Sequence, residues 1–178
     1  MLSGNEILRQ RKLGNIVIEP FDEKCINANS YFLHLSDELV VYDADVLESK
    51  KPTPTKTFKI PKEGFVLQPG ELYLGRTIEY TETFKHVPLL NGRLSIASLG
   101  ICIHITAGFG DNGFKGTWTL EISCIKPVRI YAGMKICHIC YFALIGDDSI
   151  KYTGKYLGQR DVTASRIFKD FNDENEVK

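Results

Sequence analysis

One strand-like segment carries a carboxylate whose surroundings suit proton transfer. Residues Thr117–Cys124 alternate, with Trp118, Leu120 and Ile122 among the apolar even positions, as a half-buried strand requires. Glu121 falls on the polar face, beside apolar neighbours that can desolvate it and raise its pKa toward that of a general acid and base. The same pattern describes a glutamate on a solvent-facing strand, and the residues alone favour that simpler interpretation.

A glycine-rich stretch precedes this strand. Residues 91–116 read NGRLSIASLG, ICIHITAGF and GDNGFKG, with glycines at 108, 110, 113 and 116. Glycine at this density indicates backbone that lies close to a ligand or to a neighbouring chain. Hairpin turns alone would also explain it.

Missing motifs exclude several common reaction centres. The chain contains no GxxxxGK[ST], no GxGxxG that opens a helix after a strand, no HExxH and no GxSxG. Cys137 and Cys140 form a CxxC without a second ligand pair, and strand alternation would point them to opposite faces, so no zinc is expected. The zinc-deaminase signature HxE…PCxxC is also absent. His104 and His138 lie in apolar runs typical of core or interface residues.

The elements that must position these residues are mostly strands. Ser3–Leu13 predicts one short helix, with Ser3 as N-cap, Glu6 completing a capping box and Gly14 as the stop. Short β-branched and aromatic segments follow, separated by Gly, Pro, Asn and Asp, and they predict an all-β fold of closed or double-sheet type. The predicted strands are Asn15–Glu19, Ser30–Leu35, Leu39–Tyr42, Thr57–Ile60, Leu72–Thr81, Ile101–Ile105, Thr117–Cys124, Val128–Tyr131 and Lys135–Leu144.

Length and charge indicate one globular, neutral domain. The 178 residues form a single domain over 1–178, with a polar loop at Glu48–Lys56 and a charged tail over 172–178 that we expect to be disordered. Lys plus Arg and Asp plus Glu both total 22, so no surplus positive charge indicates binding to nucleic acid or to a membrane. No apolar run could span a bilayer and no signal peptide begins the chain. Five cysteines in apolar contexts predict reduced, buried thiols and a cytoplasmic location.

Taken together, several blocks of the sequence resemble the dCTP deaminases, the metal-free branch of the dUTPase superfamily. These blocks are MLSGNEI, INANSYFLHL, LQPGELYLGRTIEY, GRLSIASLG, HITAGFGDNGFKGTWTLEIS, IYAGMKICHICYF and KYLGQRDVTASRIFKDF, and they cover essentially the whole chain in order. The resemblance implies a distorted jelly-roll subunit of the dUTPase-like β-clip type and a homotrimer with active sites between chains. It also implies a C-terminal tail that closes over the nucleotide, and a triphosphate carried with Mg²⁺, which the phosphates hold.

The resemblance assigns roles to individual residues. Glu121 matches the general base and acid of deamination. Asp111 matches the aspartate that reads the deoxyribose, and Phe114 the aromatic residue beside it. The phosphates would face Arg93 and Ser95, with Ser98 in the same block, and the base and its attacking water would meet Thr106 and Ala107. The remaining expected contacts are Thr119 and Leu120 beside the catalytic glutamate, and Tyr152, Lys155 and Gln159 in the tail.

The sequence departs from the family pattern at four positions. Leu94 replaces a serine that helps to position the water, and Ser98 replaces a second arginine. Phe32 and His34 stand where an aspartate and an arginine are usual. Leucine cannot hydrogen-bond water and serine cannot present a charged fork to phosphate. Loss of one oriented donor can reduce a rate about a hundredfold.

Three functions therefore compete. The first is hydrolytic deamination of dCTP to dUTP and ammonia, which the intact Glu121 favours. The second is a dUTPase, or a bifunctional enzyme that carries dCTP to dUMP and pyrophosphate, in which Asp111 would orient the water that attacks phosphorus. The third is a catalytically silent nucleotide-binding regulatory trimer, which Leu94 and Ser98 favour.

Overall fold

The N-terminal helix and its cap form where the sequence predicts them. The computed structural model describes residues 1–172 and begins with α1, Gly4–Lys12. The Ser3 hydroxyl accepts a hydrogen bond from the Glu6 amide at 3.2 Å. Gly14, just beyond the helix, takes a positive φ of 75°, which glycine adopts without steric cost. Ile7 is fully buried, so α1 packs one face against the strands.

Thirteen strands and two short helices make up the rest of the described chain. The strands are β1 Ile16–Glu19, β2 Tyr31–His34, β3 Glu38–Tyr42, β4 Thr55–Lys59, β5 Phe65–Leu67, β6 Tyr73–Arg76, β7 Tyr80–Thr83, β8 His86–Gly92, β9 Ile101–Cys102, β10 Lys115–Gly116, β11 Thr119–Cys124, β12 Val128–Ile130 and β13 Lys135–Ala143; the helices are α2 Leu94–Ala97 and α3 Phe168–Asn172. They form sheets of order β1-β7-β10, β4-β3-β6-β11-β9, β12-β5 and β2-β13-β8, all antiparallel. The all-β class with one N-terminal helix is confirmed.

The five-stranded sheet has two differently occupied faces. On β11 the even positions Leu120 and Ile122 are buried in the core. Gly75 of β6 pairs with Leu120, and a Cβ at this glycine would lie 3.0 Å from the Ile122 side chain. The odd positions Thr119 and Glu121 point to the opposite face, as the alternation predicted, and they are only partly exposed. This second face carries the cavity described below.

The predicted strand Leu72–Thr81 is wrong as a single element, because the chain changes sheets in its middle. Fully buried Thr77 separates β6 from β7. Its amide donates to the Trp118 carbonyl at 2.9 Å, and its hydroxyl accepts from the Trp118 amide at 3.0 Å. Thr77 thus binds both backbone groups of one residue and lets β6 pair with β11 while β7 pairs with β1 and β10.

The strand β8 has no counterpart in the prediction. Pro88, Asn91 and Gly92 interrupt its pattern, but β8 lies at the edge of the sheet β2-β13-β8, where a proline is tolerated. The predicted strand Ile101–Ile105 is also too long, because pairing ends at Cys102. The prediction also lacks β5, β10, α2 and α3. Of the predicted disordered tail, Asn172 ends α3 and the remainder lies outside the described residues.

The cysteines are free thiols that differ in their exposure to solvent. All five cysteines are unpaired, and four are buried, whereas Cys102 is exposed, contrary to the expectation of buried thiols throughout. None of the helices within residues 1–172 is both long and apolar enough to cross a membrane.

Candidate active site

A cavity of about 430 Å³ opens on the polar face of the five-stranded sheet. Three parts of the chain line it: strands β3, β6 and β11, the glycine-rich loop that precedes β11, and the segment after β13. The lining residues are Tyr42, Leu72, Leu74, Ala107, Phe109, Gly110, Asp111, Phe114, Trp118, Thr119, Glu121, Tyr152, Tyr156, Gln159, Thr163 and Ser165.

Glu121 is the carboxylate that the sheet presents to this cavity. It lies on the central part of β11, directly opposite Leu74 of β6, which in turn faces Val40 of β3. Desolvation raises the pKa of Glu121 above its ordinary value of 4.5, and a hydrogen bond from its own backbone amide offsets part of the increase. A carboxylate with a raised pKa can accept a proton from water and give it back at a pH closer to neutral than an exposed carboxylate can.

Aromatic rings form one wall of the cavity. The Phe114 and Trp118 rings lie 4.3 Å apart, and Tyr152 stands 6.0 Å from Phe114. The Trp118 indole N–H donates to the Thr81 hydroxyl at 2.8 Å, which fixes the orientation of the ring. A flat apolar wall beside a carboxylate suits a planar heterocycle with polar edges.

The glycine-rich loop holds the C-terminal segment of the same chain. A Cβ at Gly113 would lie 2.9 Å from the Lys151 side chain, and one at Gly116 would lie 2.9 Å from the Gln159 carbonyl. Both glycines have positive φ, 90° and 152°. At Gly113 and Gly116, the close neighbour of the bare backbone is the chain's own segment, residues 151–159.

Hydrogen bonds fix this C-terminal segment across the cavity. Gln159 donates from its side-chain amide to the Thr117 carbonyl at 2.9 Å and accepts at its own carbonyl from the Thr117 amide at 2.9 Å. Farther along, the Thr163 amide donates to the Thr119 hydroxyl at 3.2 Å. The Ser165 amide donates to the Tyr42 hydroxyl at 2.9 Å. The segment thus covers the face that carries Glu121.

The cavity brings together seven of the residues expected at the site and leaves six outside its lining. The residues that line it are Ala107, Asp111, Phe114, Thr119, Glu121, Tyr152 and Gln159. Those outside it are Arg93, Ser95, Ser98, Thr106, Leu120 and Lys155. For Leu120 the reason is strand alternation, because its side chain is 1% exposed within the core and leaves only its backbone for a ligand.

Arg93, Ser98 and Lys155, which were expected at the phosphates, make their contacts outside the cavity. Arg93 is the N-cap residue of α2, and its guanidinium donates to the Lys135 carbonyl at 2.8 Å. The Ser98 hydroxyl donates to the Leu94 carbonyl at 2.8 Å. The Lys155 ammonium lies 2.5 Å from the Asp170 carboxylate. The side chain of Leu94 is 84% exposed and directs no polar group at the cavity.

The charged side chains that line the cavity are all acidic. Glu121 and Asp111 are its two carboxylates, and its lining contains no lysine, arginine or histidine. Residues 1–172 contain no cluster of three or more Cys, His, Asp or Glu side chains able to hold a metal ion. An anionic ligand in this cavity therefore needs cations from outside its lining.

Sequence reasoning missed several cavity residues, including Tyr42, Tyr156, Thr163 and Ser165. Tyr42 and Ser165 are 123 positions apart, and no periodic pattern connects them. Leu72 and Leu74 were recognised only as strand residues. The alternation that placed Glu121 also places Leu74, its cross-strand partner, on the same face, so this contact could have been found once the pairing of β6 with β11 was known.

His34, which stands where an arginine is usual in the family, contacts a buried carboxylate. Its Nδ1 lies 2.5 Å from a carboxylate oxygen of Glu79, and its backbone amide donates to the other oxygen at 2.9 Å. Glu79 is 2% exposed, so this imidazole is what satisfies a buried carboxylate.

Comparison with known proteins identifies the family. A family profile described as dCTP deaminase-like matches residues 1–144. The chain belongs to the dCTP deaminase-like family. The match covers the strands and the glycine-rich loop of the cavity, and the C-terminal segment lies beyond it.

Relatives within the family are similar over nearly their full length. A Clostridium acetobutylicum protein named dCTP deaminase, dUMP-forming, is 57% identical over 173 residues, which are 96% of this chain and 98% of the relative. A protein of the same name from Leptospira biflexa serovar Patoc (strain Patoc 1 / Ames) is 53% identical over 172 residues, with 96% and 98% covered.

A solved structure supports the fold. The crystal structure of 2'-deoxycytidine 5'-triphosphate deaminase from Agrobacterium tumefaciens aligns with a TM-score of 0.62 and 18% identity. The alignment covers 79% of this chain and 47% of that one, so the likeness spans about half of the Agrobacterium protein. The dUTPase-like fold expected for a dCTP deaminase-like chain is confirmed.

Proposed function

We propose that this protein deaminates dCTP and hydrolyses the resulting triphosphate to dUMP and pyrophosphate. The observation that carries the proposal is the desolvated Glu121 in a cavity with an aromatic wall and a second carboxylate, Asp111. The names of the relatives support dUMP as the product, which differs from the dUTP that the sequence placed first and agrees with the bifunctional alternative.

Glu121 performs the proton transfers of deamination in this proposal. It takes one proton from water as the water oxygen bonds to C4 of cytosine, and it delivers this proton to N3. It then takes the second proton from the new C4 hydroxyl group and delivers it to the amino group. The C4–N bond then breaks, ammonia leaves and dUTP remains. Desolvation assists because it brings the pKa of the carboxyl closer to the pH at which the enzyme works.

Asp111 serves the second hydrolysis. It orients a water whose oxygen bonds to the α-phosphorus, the bond to the pyrophosphate group breaks, and dUMP and pyrophosphate are released. Mg²⁺ would be held by the substrate phosphates, and it would neutralise part of their charge.

A homotrimer would complete the site. The cavity lacks cations, whereas Arg93, Ser95 and Ser98 lie outside it, so the phosphate contacts would come from a neighbouring copy. Apolar side chains between 94 and 109 support this arrangement. Leu94, Leu99, Ile105 and Phe109 are 54–84% exposed, and Phe109 also lines the cavity. The expected cytoplasmic location stays a prediction.

The decisive experiment separates the three functions by their products. The purified protein is incubated with dCTP and Mg²⁺, and ammonia, dUTP, dUMP and pyrophosphate are followed with time. The proposal predicts ammonia, dUMP and pyrophosphate in equal amounts. Accumulation of dUTP without pyrophosphate would identify a deaminase only. Nucleotide binding without any product would identify the silent regulator that Leu94 and Ser98 suggest.

A further inference from the structure

A cationic cluster lies outside the cavity on the sheet β2-β13-β8. Its centre is the ring of Phe32 on β2. The Arg93 guanidinium lies 4.8 Å from the centroid of this ring, and the Lys135 ammonium lies 5.2 Å from it. His138, opposite Phe32 on β13, stacks on the same ring at 6.2 Å. Two cations are therefore held at one aromatic residue.

Neither cation of the cluster is neutralised. The ion pairs found among residues 1–172 include neither Arg93 nor Lys135. Arg93 gives one hydrogen bond to a backbone carbonyl, which leaves most of its five N–H donors available. The buried carboxylate of this region, Glu79, is already bound by His34. Desolvation and the nearby Arg93 lower the pKa of His138, and its imidazole supplies no negative charge to the cluster.

Phe32 explains how the charges remain available. An aromatic face attracts a cation without supplying a counter-ion, so it fixes the position of Arg93 and Lys135 while their N–H groups stay free for an anion. A carboxylate at position 32, which the family pattern would have suggested, would instead form an ion pair with these cations.

We infer that Arg93 and Lys135, held at the ring of Phe32, form one anion-binding pair that takes the phosphates of the nucleotide. The inference rests on the proposed function for the identity of the anion. It adds Lys135 and Phe32 to the residues assigned to the site. Lys135 also supplies a second cation beside Arg93, where Ser98 provides none. The carboxylate-lined cavity and this acid-free cluster are then complementary parts of a site for a base and its phosphates.

The test measures binding of inorganic tripolyphosphate to the full-length protein by calorimetry at low salt. Lys135→Gln should weaken binding roughly tenfold, the effect of losing one charge-assisted contact. Phe32→Leu keeps an apolar side chain but removes the ring face, and should weaken binding severalfold. Lys62→Gln is the matched control, because Lys62 is exposed and lies outside both the cluster and the cavity lining. Thermal unfolding confirms that each variant is folded.

Binding of tripolyphosphate by Lys135→Gln within twofold of the wild-type value would overturn the inference, as would a wild-type protein that does not bind it. Ammonia release from dCTP by the wild-type protein is measured separately. Turnover with an unchanged KM in Lys135→Gln would overturn the anion site and leave the proposed function intact. Anion binding that depends on Lys135, without any ammonia release, would support the anion site and contradict the proposed function.

Discussion

Replacing Glu121 by glutamine should impair catalysis and stabilise the protein at the same time. The substitution keeps the shape of the side chain but removes the group that accepts a proton from water. Positioned acid–base groups contribute about 10²- to 10⁴-fold to a rate, so we expect ammonia release from dCTP to fall by a factor in that range.

The gain in stability follows from the surroundings of the carboxylate. Glu121 faces a cavity without a lysine, arginine or histidine, and its pKa is raised chiefly by desolvation. Below pH 4.5 the carboxyl group is protonated in both states and costs nothing. As the pH rises, the unfolded state ionises first, so stability falls until the folded-state pKa is passed. Glutamine avoids this loss, so we expect Glu121→Gln to be more stable than the wild-type protein at pH 7.

The assay is thermal unfolding at several pH values, beside ammonia release. The gain in stability is read as a rise in Tm, and for a chain of this size each kcal/mol corresponds to roughly 2–4 °C. The difference between Glu121→Gln and the wild-type protein should vanish near pH 4 and reach its full value by neutral pH. Glu19→Gln is the control, because Glu19 is exposed on β1 and outside the cavity lining. A variant that is less stable at pH 7, or whose difference does not change with pH, would refute the reasoning.

Two further substitutions test the C-terminal segment and the buried ion pair. Gly116→Ala places a Cβ 2.9 Å from the Gln159 carbonyl, so it should displace the C-terminal segment, raise the KM for dCTP about tenfold and increase trypsin cleavage. Gly133→Ala is the control, because Gly133 also has a positive φ, 76°, but has open space around it. Equal KM values in the two variants would contradict the prediction. His34→Ala leaves the buried Glu79 carboxylate with only the backbone amide of residue 34 as donor, and should lower the free energy of unfolding by about 2 kcal/mol, measured by urea denaturation. A second change, Glu79→Gln, should restore part of that loss, and no recovery would count against this interpretation.

The parts of the fold that the sequence predicted are those with complete local signals. The capping box of α1 and the alternation of β11 each involve residues within a few positions of one another. β8 was missed because Pro88 weakens any strand pattern, and only its edge position, a property of the whole sheet, makes the proline acceptable. The division of β6 from β7 at Thr77 likewise depends on a contact with Trp118 that sequence spacing does not show.

The candidate site shows the same division between local and distant information. Alternation correctly placed Glu121 on the polar face, but it favoured exposure to solvent. The structure covers that face with residues such as Gln159 and Thr163, about forty positions away. Their hydrogen bonds to Thr117 and Thr119 have no periodic signal in the sequence. The family resemblance supplied the role of Glu121, and the sequence already indicated that apolar strand neighbours could desolvate it. The fold adds the distant residues that cover its face.

Trp118 gives the protein an unusual spectroscopic property. It is the only tryptophan in the chain, and its ring is part of the cavity wall, 4.3 Å from Phe114. Intrinsic indole fluorescence therefore comes entirely from one wall of the cavity, whereas far-ultraviolet circular dichroism averages over every strand. An unfolding curve followed by fluorescence reports the loss of this wall specifically. Agreement between the two curves would mean that the cavity opens only when the whole domain unfolds, and an earlier fluorescence transition would mean that it opens on its own.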